Sequence, residues 1–374
     1  MIKQFTSLGL MSGTSGDGVD ASIIQSDGNT KYEIIADKYF EYDDQIYKKI
    51  HFVKERINLF KDLEKNFENL RDLERNITLF HSRVVKELSE NKVIDLVGFH
   101  GQTIYHNPEE NISKQLGDGR LLSQLTKKNV VFNFRKKDID NGGEGAPLTP
   151  IFHQLVASQL KMDLPVCILN IGGISNITII KGPIGTHEFD SRDIGPGNCL
   201  IDNWVRKNSK QKFDLDGVLA SRGLVNEIIL EQGQELFLNR PKKDKISLDV
   251  NDFDISFARG LSLEDGAATL TNFSAGIICE AIISLLSIFE NKTINILTCG
   301  GGRKNKCLID QIKKELPKNI ILKPIDEFGI DGDFIESQAF AFLGIRSLLK
   351  LPISFPRTTR CRQPTTGGEI INFK

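Results

Sequence analysis

The sequence predicts an α/β protein of two domains, and three observations lead to that class. The chain has 374 residues, more than one domain usually holds. Short apolar stretches of strand length alternate with amphipathic stretches of helical period. The two halves also open alike, because residues 9–24 and 166–180 each have the pattern of strand, glycine-rich turn and strand. We expect one domain from residues 1–133 with 350–374, and the other from residues 134–349.

Charge and cysteine content exclude several classes of function. The 48 basic and 49 acidic residues give a net charge of -1, so we expect no nucleic acid and no membrane as partner. The six cysteines are scattered without a C-x-x-C pair, which predicts neither a zinc site nor disulfides. The first residues lack the apolar segment of a signal peptide, and the apolar stretch 273–289 is expected to be a core helix. These features predict a cytoplasmic protein.

The stretch Leu8–Asp20 is the most informative part of the chain. It places glycines, hydroxyls and two carboxylates between an apolar strand and a second, shorter strand. Bare N–H groups and hydroxyls bind phosphate, and carboxylates such as Asp17 can hold a hydrated Mg²⁺ beside it. The chain has no G-x-x-x-x-G-K-[ST] motif, and this turn lacks the helix of a dinucleotide fingerprint. The alternative is an ordinary glycine-rich hairpin turn.

The next predicted strand is also followed by polar residues. A strand at Tyr32–Tyr42 and an amphipathic helix at Leu63–Leu88 precede a buried strand at Val93–Phe99. Polar residues start at His100, and open α/β folds bind ligands just past such strand ends. The spacing of His100 and His106 favours hydrogen bonding over metal binding, because no further ligand residue lies at the required spacing.

The stretch after Val130–Phe132, a short predicted strand, carries two more candidate residues. Arg135 and Asp138 either bind substrate or form an ion pair with each other at the strand end. A second glycine cluster, Gly142–Leu148, is expected to mark the crossing into the second domain.

The second half repeats the strand–turn–strand pattern at Val166–Ile180. Two glycine turns, one in each half, could bind the two ends of one polyphosphate. Asp193 is expected just before a helix whose first turn contains Pro196, where the helix dipole stabilises a carboxylate and attracts phosphate. Asp193 is then either a functional carboxylate or only a helix cap.

The last third predicts one more glycine turn. The triple glycine Gly300–Gly302 follows a buried strand and precedes a helix at Lys306–Leu316, so a flat base or ribose could lie on its backbone. A helix is predicted at Glu336–Leu349. The tail Leu351–Lys374 is expected to return to the first domain.

Five stretches together resemble the anhydro-N-acetylmuramic acid kinases, which belong to the superfamily of acetate and sugar kinases, Hsp70 ATPases and actin. The stretches are Gly9–Asp20, His100–His106, Phe134–Leu148, Asp193–Asp202 and Gly300–Asn305. The resemblance implies two actin-like (ribonuclease H-like) α/β domains with an ATP cleft between them. It also implies ATP and Mg²⁺ as cofactors and a small-molecule sugar as substrate. The oligomeric state stays open, with a homodimer as one alternative.

The resemblance implies roles for particular residues. Asp193 would be the general base, and Glu336 would help to hold the attacking water. The residues matched to ATP binding are Gly13, Thr14, Ser15, Gly16, Asp17, Gly18, Val19, Asp20, Asn170, Gly172, Gly173, Gly195, Gly197, Asn198, Gly300, Gly301, Gly302 and Asn305. Those matched to the sugar are His100, Gln102, Thr103, Arg135, Asp138, Gly143 and Pro147. Asp17 is the candidate Mg²⁺ ligand.

The reaction implied by the resemblance opens a sugar ring and phosphorylates it. Water activated by Asp193 would attack C1 of 1,6-anhydro-N-acetylmuramic acid, and the released O6 would take the γ-phosphoryl group of ATP, which gives N-acetylmuramic acid 6-phosphate and ADP. Asp190 is the competing candidate for the base. Tyr105 and Glu144 stand where the family usually has arginine and glutamine, and Pro241–Lys245 lacks the rest of a family stretch. These departures leave two alternatives, a kinase for another amino or anhydro sugar and an actin- or Hsp70-like nucleotide switch.

Overall fold

The computed structural model describes residues 3–239, 248, 252–290 and 292–373. The chain divides into two compact units. Unit 1 contains Met1–Met162, Gly182–Asp190 and Asp333–Lys374, and unit 2 contains Asp163–Lys181 and Ser191–Gly332. These bounds differ from the predicted ones, because residues 134–162 and 333–349 lie with the first unit. The stretch Pro241–Lys245 lies outside the described residues.

Twelve strands and thirteen α-helices are found in the described part of the chain. The strands are β1 Phe5–Ser12, β2 Gly18–Ser26, β3 Tyr32–Glu41, β4 Leu96–Asn107, β5 Ile112–Leu116, β6 Asn129–Phe132, β7 Val166–Ile171, β8 Ile174–Ile180, β9 Phe189–Pro196, β10 Ile294–Cys299, β11 Ile320–Pro324 and β12 Glu369–Ile371. The helices are α1 Asp44–Lys54, α2 Phe60–Lys65, α3 Phe67–Leu88, α4 Gly119–Thr126, α5 Lys136–Asp140, α6 Pro150–Gln159, α7 Cys199–Asn208, α8 Val218–Arg222, α9 Glu227–Leu238, α10 Leu263–Leu286, α11 Lys306–Glu315, α12 Ile335–Leu348 and α13 Pro356–Thr359.

The two sheets share one strand order. The first runs β12-β6-β4-β1-β2-β3, with β5 paired to β4, and the second runs β11-β10-β7-β8-β9. In each, a strand forms an antiparallel hairpin with the next strand of the chain and pairs in parallel with a later strand on its other side. This repeated order is that of actin-like domains, so the predicted fold class and the predicted duplication are confirmed.

Glycines in unit 1 let helix α12 pack directly on the sheet. A Cβ at Gly9 of β1 would lie 1.9 Å from the Ser337 carbonyl oxygen, and one at Gly98 of β4 would lie 2.2 Å from that of Phe340. Any side chain at either position would push the helix off the sheet. This contact explains why the helix predicted at Glu336–Leu349 belongs to unit 1 and not to the second domain. The tail also returns as predicted, because β12 pairs with β6.

Each unit has its own apolar core. The amphipathic stretch at Leu63–Leu88 forms α2 and α3, and the apolar face of α3 packs with β1, β2 and β4. In unit 2, α10 packs against strands on one side and other helices on the other. Residues 263–289, which include α10, are long and apolar enough to cross a membrane by length and composition alone. Fourteen of the residues in α10 are buried in the unit 2 core, as predicted for a core helix.

Two predicted boundaries were wrong. The polar residues His100–His106 do not follow a strand, because β4 continues to Asn107 and pairs there with β5. Asp193 does not precede a helix directly, because it lies within β9, which ends at Pro196, and α7 begins only at Cys199. The cap position of α7 is taken by Asn198, so the alternative of Asp193 as a helix cap is excluded.

Candidate active site

The first glycine turn (Gly13–Asp17) joins β1 to β2 in unit 1. The Gly13 carbonyl oxygen accepts hydrogen bonds from the Gly16 N–H at 3.2 Å and from Gln102 Nε2 at 2.9 Å. Lys54 Nζ lies 2.7 Å from the Thr14 carbonyl oxygen, and Ser15 Oγ lies 2.6 Å from Asp17 Oδ1. Hydrogen bonds to the carbonyl oxygens of Gly13 and Thr14 therefore hold this turn in place.

The residues just after this turn differ in what they can contact. Val19 is fully buried in the core, so its side chain cannot reach a ligand. A Cβ at Gly18 would lie 2.5 Å from the Tyr39 hydroxyl, which packs over the start of β2. The pKa of Tyr39 is raised strongly by burial and by the nearby carboxylates, Asp17 first among them. Tyr39 therefore stays protonated beside the half-buried carboxylates of Asp17 and Asp20.

The second glycine turn (Gly172–Gly173) joins β7 to β8 in unit 2 and is bound by the turn before α7. The Gly172 carbonyl oxygen accepts from the Asn198 N–H, and that of Gly173 accepts from the Gly197 N–H, both at 2.9 Å. A Cβ at Gly197 would lie 2.2 Å from the Gly172 carbonyl oxygen. The two predicted phosphate segments of unit 2 therefore form one backbone surface.

The third glycine turn (Gly300–Gly302) lies beside the second. Strands β7 and β10 are parallel, and Asn170 pairs with Cys299 at their carboxyl ends. Positive φ is required at Gly300, where φ is +78° and a Cβ would lie 2.2 Å from Asn170 Oδ1. Ligands of open α/β sheets bind at such adjacent carboxyl ends. Asn305 has a structural role, because its side-chain oxygen accepts a hydrogen bond from the Leu308 N–H at 3.1 Å and caps α11.

The glycines fall into two groups, according to whether the fold leaves room for a side chain at their positions. Most described glycines either have a positive φ or would place a Cβ within 3.4 Å of another atom, so the fold itself requires glycine there. Leaving Gly173 aside, three open glycines have an ordinary φ and room for a Cβ, whose nearest atom would lie 3.8 Å away at Gly13, 3.6 Å away at Gly172 and beyond 4 Å at Gly301. Each lies in a different one of the three glycine turns. The fold alone does not explain glycine at these three positions.

The predicted sugar-binding residues form a second cluster in unit 1. Arg135 donates to His100 Nε2 from Nη2 at 2.9 Å and from Nε at 3.2 Å, and its Nη1 donates to the Gly145 carbonyl oxygen at 2.9 Å. Asp138, predicted to pair with Arg135 if it did not bind substrate, instead accepts from the Gly145 N–H and from Thr359 Oγ1, both at 2.7 Å. Gly143 packs on that carboxylate, with a Cβ position 2.2 Å from Asp138 Oδ2.

His100 is a neutral hydrogen-bonding residue of fixed tautomer. Burial and the neighbouring Arg135 guanidinium hold its pKa well below its usual range. Nδ1 lies 2.8 Å from the Gly101 carbonyl oxygen, which can only accept, so Nδ1 carries the proton. Nε2 then accepts from Arg135. Thr103 Oγ1 accepts from Gln115 Nε2 at 3.3 Å, and Pro147 follows a cis peptide bond near this cluster's glycines.

The two candidate bases have different partners. Asp193 Oδ2 accepts from the Leu248 N–H at 2.7 Å. Asp190 Oδ1 lies 2.5 Å from Arg357 Nε in an ion pair within unit 1. Glu336 is in the first turn of α12. The ion pair with Arg357 makes Asp190 the weaker candidate, because one of its carboxylate oxygens is already bound by a guanidinium group.

Sequence reasoning missed several residues of the first turn. The Ser12 side chain contacts Gln102, that of Lys54 contacts the turn, and the Tyr42 hydroxyl contacts Ser12. The buried Ser12 directly before the glycines was a usable signal, whereas Tyr42 and Lys54 are distant in sequence. Within the described residues, no group of three or more His, Cys, Asp and Glu side chains converges to hold a metal ion.

Two units with the strand order of actin-like domains, each with a glycine turn after its first strand, define this chain as an actin-like α/β protein. The family model "Anhydro-N-acetylmuramic acid kinase" matches residues 5–372. The chain therefore belongs to the anhydro-N-acetylmuramic acid kinase family.

Two proteins of similar sequence agree with this membership. The chain is 54% identical to the anhydro-N-acetylmuramic acid kinase of Pelagibacter ubique, over 99% of both proteins. It is 37% identical to that of Zymomonas mobilis, over 97% of this chain and 98% of the relative. Among solved structures, the activator of 2-hydroxyisocaproyl-CoA dehydratase from Clostridium difficile, with bound ADPNP, is 12% identical with a TM-score of 0.42, over 92% of this chain and 96% of that one.

Proposed function

We propose that this protein is an ATP-dependent kinase that hydrolytically opens the ring of 1,6-anhydro-N-acetylmuramic acid and phosphorylates O6. The products are N-acetylmuramic acid 6-phosphate and ADP. Family membership over nearly the whole chain supports the reaction. The observation on the molecule itself that best supports nucleotide binding is the set of open glycines Gly13, Gly172 and Gly301. Backbone without side chains lets phosphate, ribose or base approach closely.

Each glycine turn suits one part of a nucleotide. Exposed N–H groups of the first and second turns would bind phosphate oxygens, and the third turn would accept the adenosine. Such fixed dipoles stabilise the charge that develops on the transferred phosphoryl group without reorganising during the reaction. Gly16, Gly18, Gly195, Gly197, Gly300 and Gly302 would support these turns through their packing.

Asp193 would act as the general base. It takes a proton from a water molecule while the water oxygen bonds to C1 of the sugar. The C1–O6 bond breaks, its electron pair passes to O6, and O6 bonds to the γ-phosphorus as the bond to ADP breaks. Glu336 would orient the water. Arg135 would donate to the sugar, and His100 would hold the guanidinium group in place, since the low pKa of His100 keeps the imidazole neutral and Nε2 an acceptor.

Magnesium is part of the proposal, with Asp17 as its protein ligand. Mg²⁺ at nucleotide sites keeps several waters and takes only one or two carboxylates besides the phosphates, so one aspartate beside the first turn suits it. When bound, it would neutralise phosphate charge. We also propose a cytoplasmic location and leave a homodimer as a prediction.

Product analysis in ¹⁸O-water tests this function. The protein is incubated with ATP, Mg²⁺ and 1,6-anhydro-N-acetylmuramic acid, and the product is examined by mass spectrometry. We expect one ¹⁸O at C1 and an unlabelled phosphate ester at O6. A panel of other amino and anhydro sugars tests the alternative substrates. If polypeptide stimulates ATP hydrolysis and none of the sugars does, the kinase function is refuted and a nucleotide switch is favoured.

A further inference from the structure

The first glycine turn is connected to the core of unit 1 by a directed chain of hydrogen bonds. Tyr42, Ser12 and Gln102 are at most 3% exposed. The Tyr42 hydroxyl lies 3.1 Å from Ser12 Oγ, which lies 2.6 Å from Gln102 Oε1, and Gln102 Nε2 lies 2.9 Å from the Gly13 carbonyl oxygen. That carbonyl can only accept, so the amide must present its NH₂ group to Gly13 and its oxygen to Ser12.

The direction of this chain determines where the turn presents its N–H groups. The Gly13–Thr14 and Thr14–Ser15 peptide bonds are trans, so each carbonyl group points away from the N–H group of the same peptide. Gln102 holds the first carbonyl group and Lys54 Nζ holds the second, at 2.7 Å. The N–H groups of Thr14 and Ser15 are thereby directed away from these anchors. Within the described residues, neither N–H group has a protein acceptor.

The second glycine turn is built in the same way with different anchors. Its carbonyl groups, those of Gly172 and Gly173, are held by backbone N–H groups of Asn198 and Gly197. Two turns at equivalent positions of a duplicated fold thus share the arrangement of anchored carbonyl groups. In the first turn the anchors are side chains, so substitution can remove them one at a time.

We propose that Gln102 and Lys54 are positioning residues that orient two successive peptide groups of the first turn toward the nucleotide phosphates. Ser12 and Tyr42 fix the orientation of the Gln102 amide. This replaces the predicted role of Gln102 in sugar binding, because both ends of its side-chain amide are already bonded within the protein. The inference rests on the proposed function, since it presumes that a polyphosphate binds at this turn.

Lys54 gives the cleaner test, because its removal leaves no buried cavity. Full-length Lys54→Met, Lys54→Arg and a control, Lys49→Met, are titrated calorimetrically with ADP and with inorganic tripolyphosphate. Lys49 is on the same helix and pairs with Asp72 at 2.5 Å, so its substitution makes the same charge change away from the turn. Because a hydrogen bond to a charged group is lost, we expect Lys54→Met to weaken both ligands about tenfold or more. Lys54→Arg should restore most of the affinity, and Lys49→Met should bind as the wild type does.

Gln102→Met tests the other anchor with little change in volume. We expect weaker binding of ADP and tripolyphosphate, a raised KM for ATP, and a KM for the sugar that stays within about twofold. Exchange of the Thr14 and Ser15 amide hydrogens should be slowed by ADP in the wild type and less so in this variant. A raised sugar KM with unchanged ADP binding would overturn the inference and return Gln102 to the sugar site. Wild-type affinities in Lys54→Met would overturn it as well, whereas a wild type that binds no ADP would refute the proposed function itself.

Discussion

Arg303 and Asp326 form a bidentate ion pair in unit 2, with Nε to Oδ2 and Nη2 to Oδ1 both at 2.7 Å. The Arg303 side chain is only 5% exposed and also reaches Asp331 Oδ1 at 3.0 Å and the Gly300 carbonyl oxygen at 3.1 Å. The Arg303 side chain hydrogen bonds lower the pKa of Asp326, which keeps that carboxylate ionised at neutral pH. One guanidinium group thus connects the third glycine turn to the segment 326–331.

We predict that Arg303→Lys weakens nucleotide binding, because an ammonium group cannot reproduce the planar bidentate contact while also reaching Gly300. We expect the Kd for ADP to rise about tenfold and the free energy of unfolding to fall by about 1–3 kcal/mol. Calorimetry and urea unfolding measure the two effects. Lys306→Met, a charge change at an exposed lysine close in sequence, is the control and should alter neither quantity appreciably. An unchanged ADP affinity in a folded Arg303→Lys protein would contradict the prediction.

The glycines of the third turn allow a paired test. A Cβ at Gly301 meets no atom within 4 Å, whereas one at Gly302 would lie 2.2 Å from Ile171 Cγ2. We therefore expect Gly301→Ala to keep or slightly raise the melting temperature, because it restricts the unfolded chain, and to weaken ADP binding. Gly302→Ala should lower the free energy of unfolding by about 1–3 kcal/mol through overpacking. If Gly301→Ala binds ADP as the wild type does, its open face is not a ligand surface.

The sequence predicted local features better than long-range ones. The hairpins at both glycine turns and the helix from residue 335 followed from apolar periodicity and glycine position, which are local signals. The predicted boundary between residues 349 and 350 differs from that of the compact units, because packing of α12 on Gly9 and Gly98 joins segments far apart in the chain. The extension of β4 through His100–His106 was missed because polar residues on a paired hairpin resemble a loop. The role of Gln102 could not be read from sequence, since it depends on the direction of an amide held by Ser12.

Buried histidines predict loss of stability in acid. His81 is fully buried between Tyr42 and Phe99, and burial lowers its pKa to about 4. Since the unfolded chain titrates near 6.5, it binds a proton between pH 6.5 and 4 that the folded protein does not bind. The folded state therefore loses stability as the pH falls through this window, by about 3 kcal/mol from His81 alone.

His81→Phe removes this contribution while keeping an aromatic ring in the site. We expect the free energy of unfolding to depend less steeply on pH between 6.5 and 4 in the variant than in the wild type. Urea unfolding at several pH values measures the slope, which is independent of any constant cost of the substitution at neutral pH. His100 and His153 remain and keep part of the slope, because burial also lowers their pKa values. Identical slopes would show that the pKa of His81 is the same in the folded and the unfolded protein.

The choice between Asp193 and Asp190 as base can be decided by two matched substitutions. Asp193→Asn keeps an oxygen that can accept from the Leu248 N–H, so the variant should fold normally. It cannot take a proton from water, and we expect kcat to fall by about 10²–10⁴-fold for both ring opening and phosphorylation. Asp190→Asn removes a half-exposed ion pair with Arg357, whose contribution to stability is at most about 1 kcal/mol, and should retain most of the activity. Product formation by mass spectrometry and circular dichroism of both variants provide the measurement. The reverse pattern, with an active Asp193→Asn and an inactive Asp190→Asn, would assign the base to Asp190 despite its ion pair.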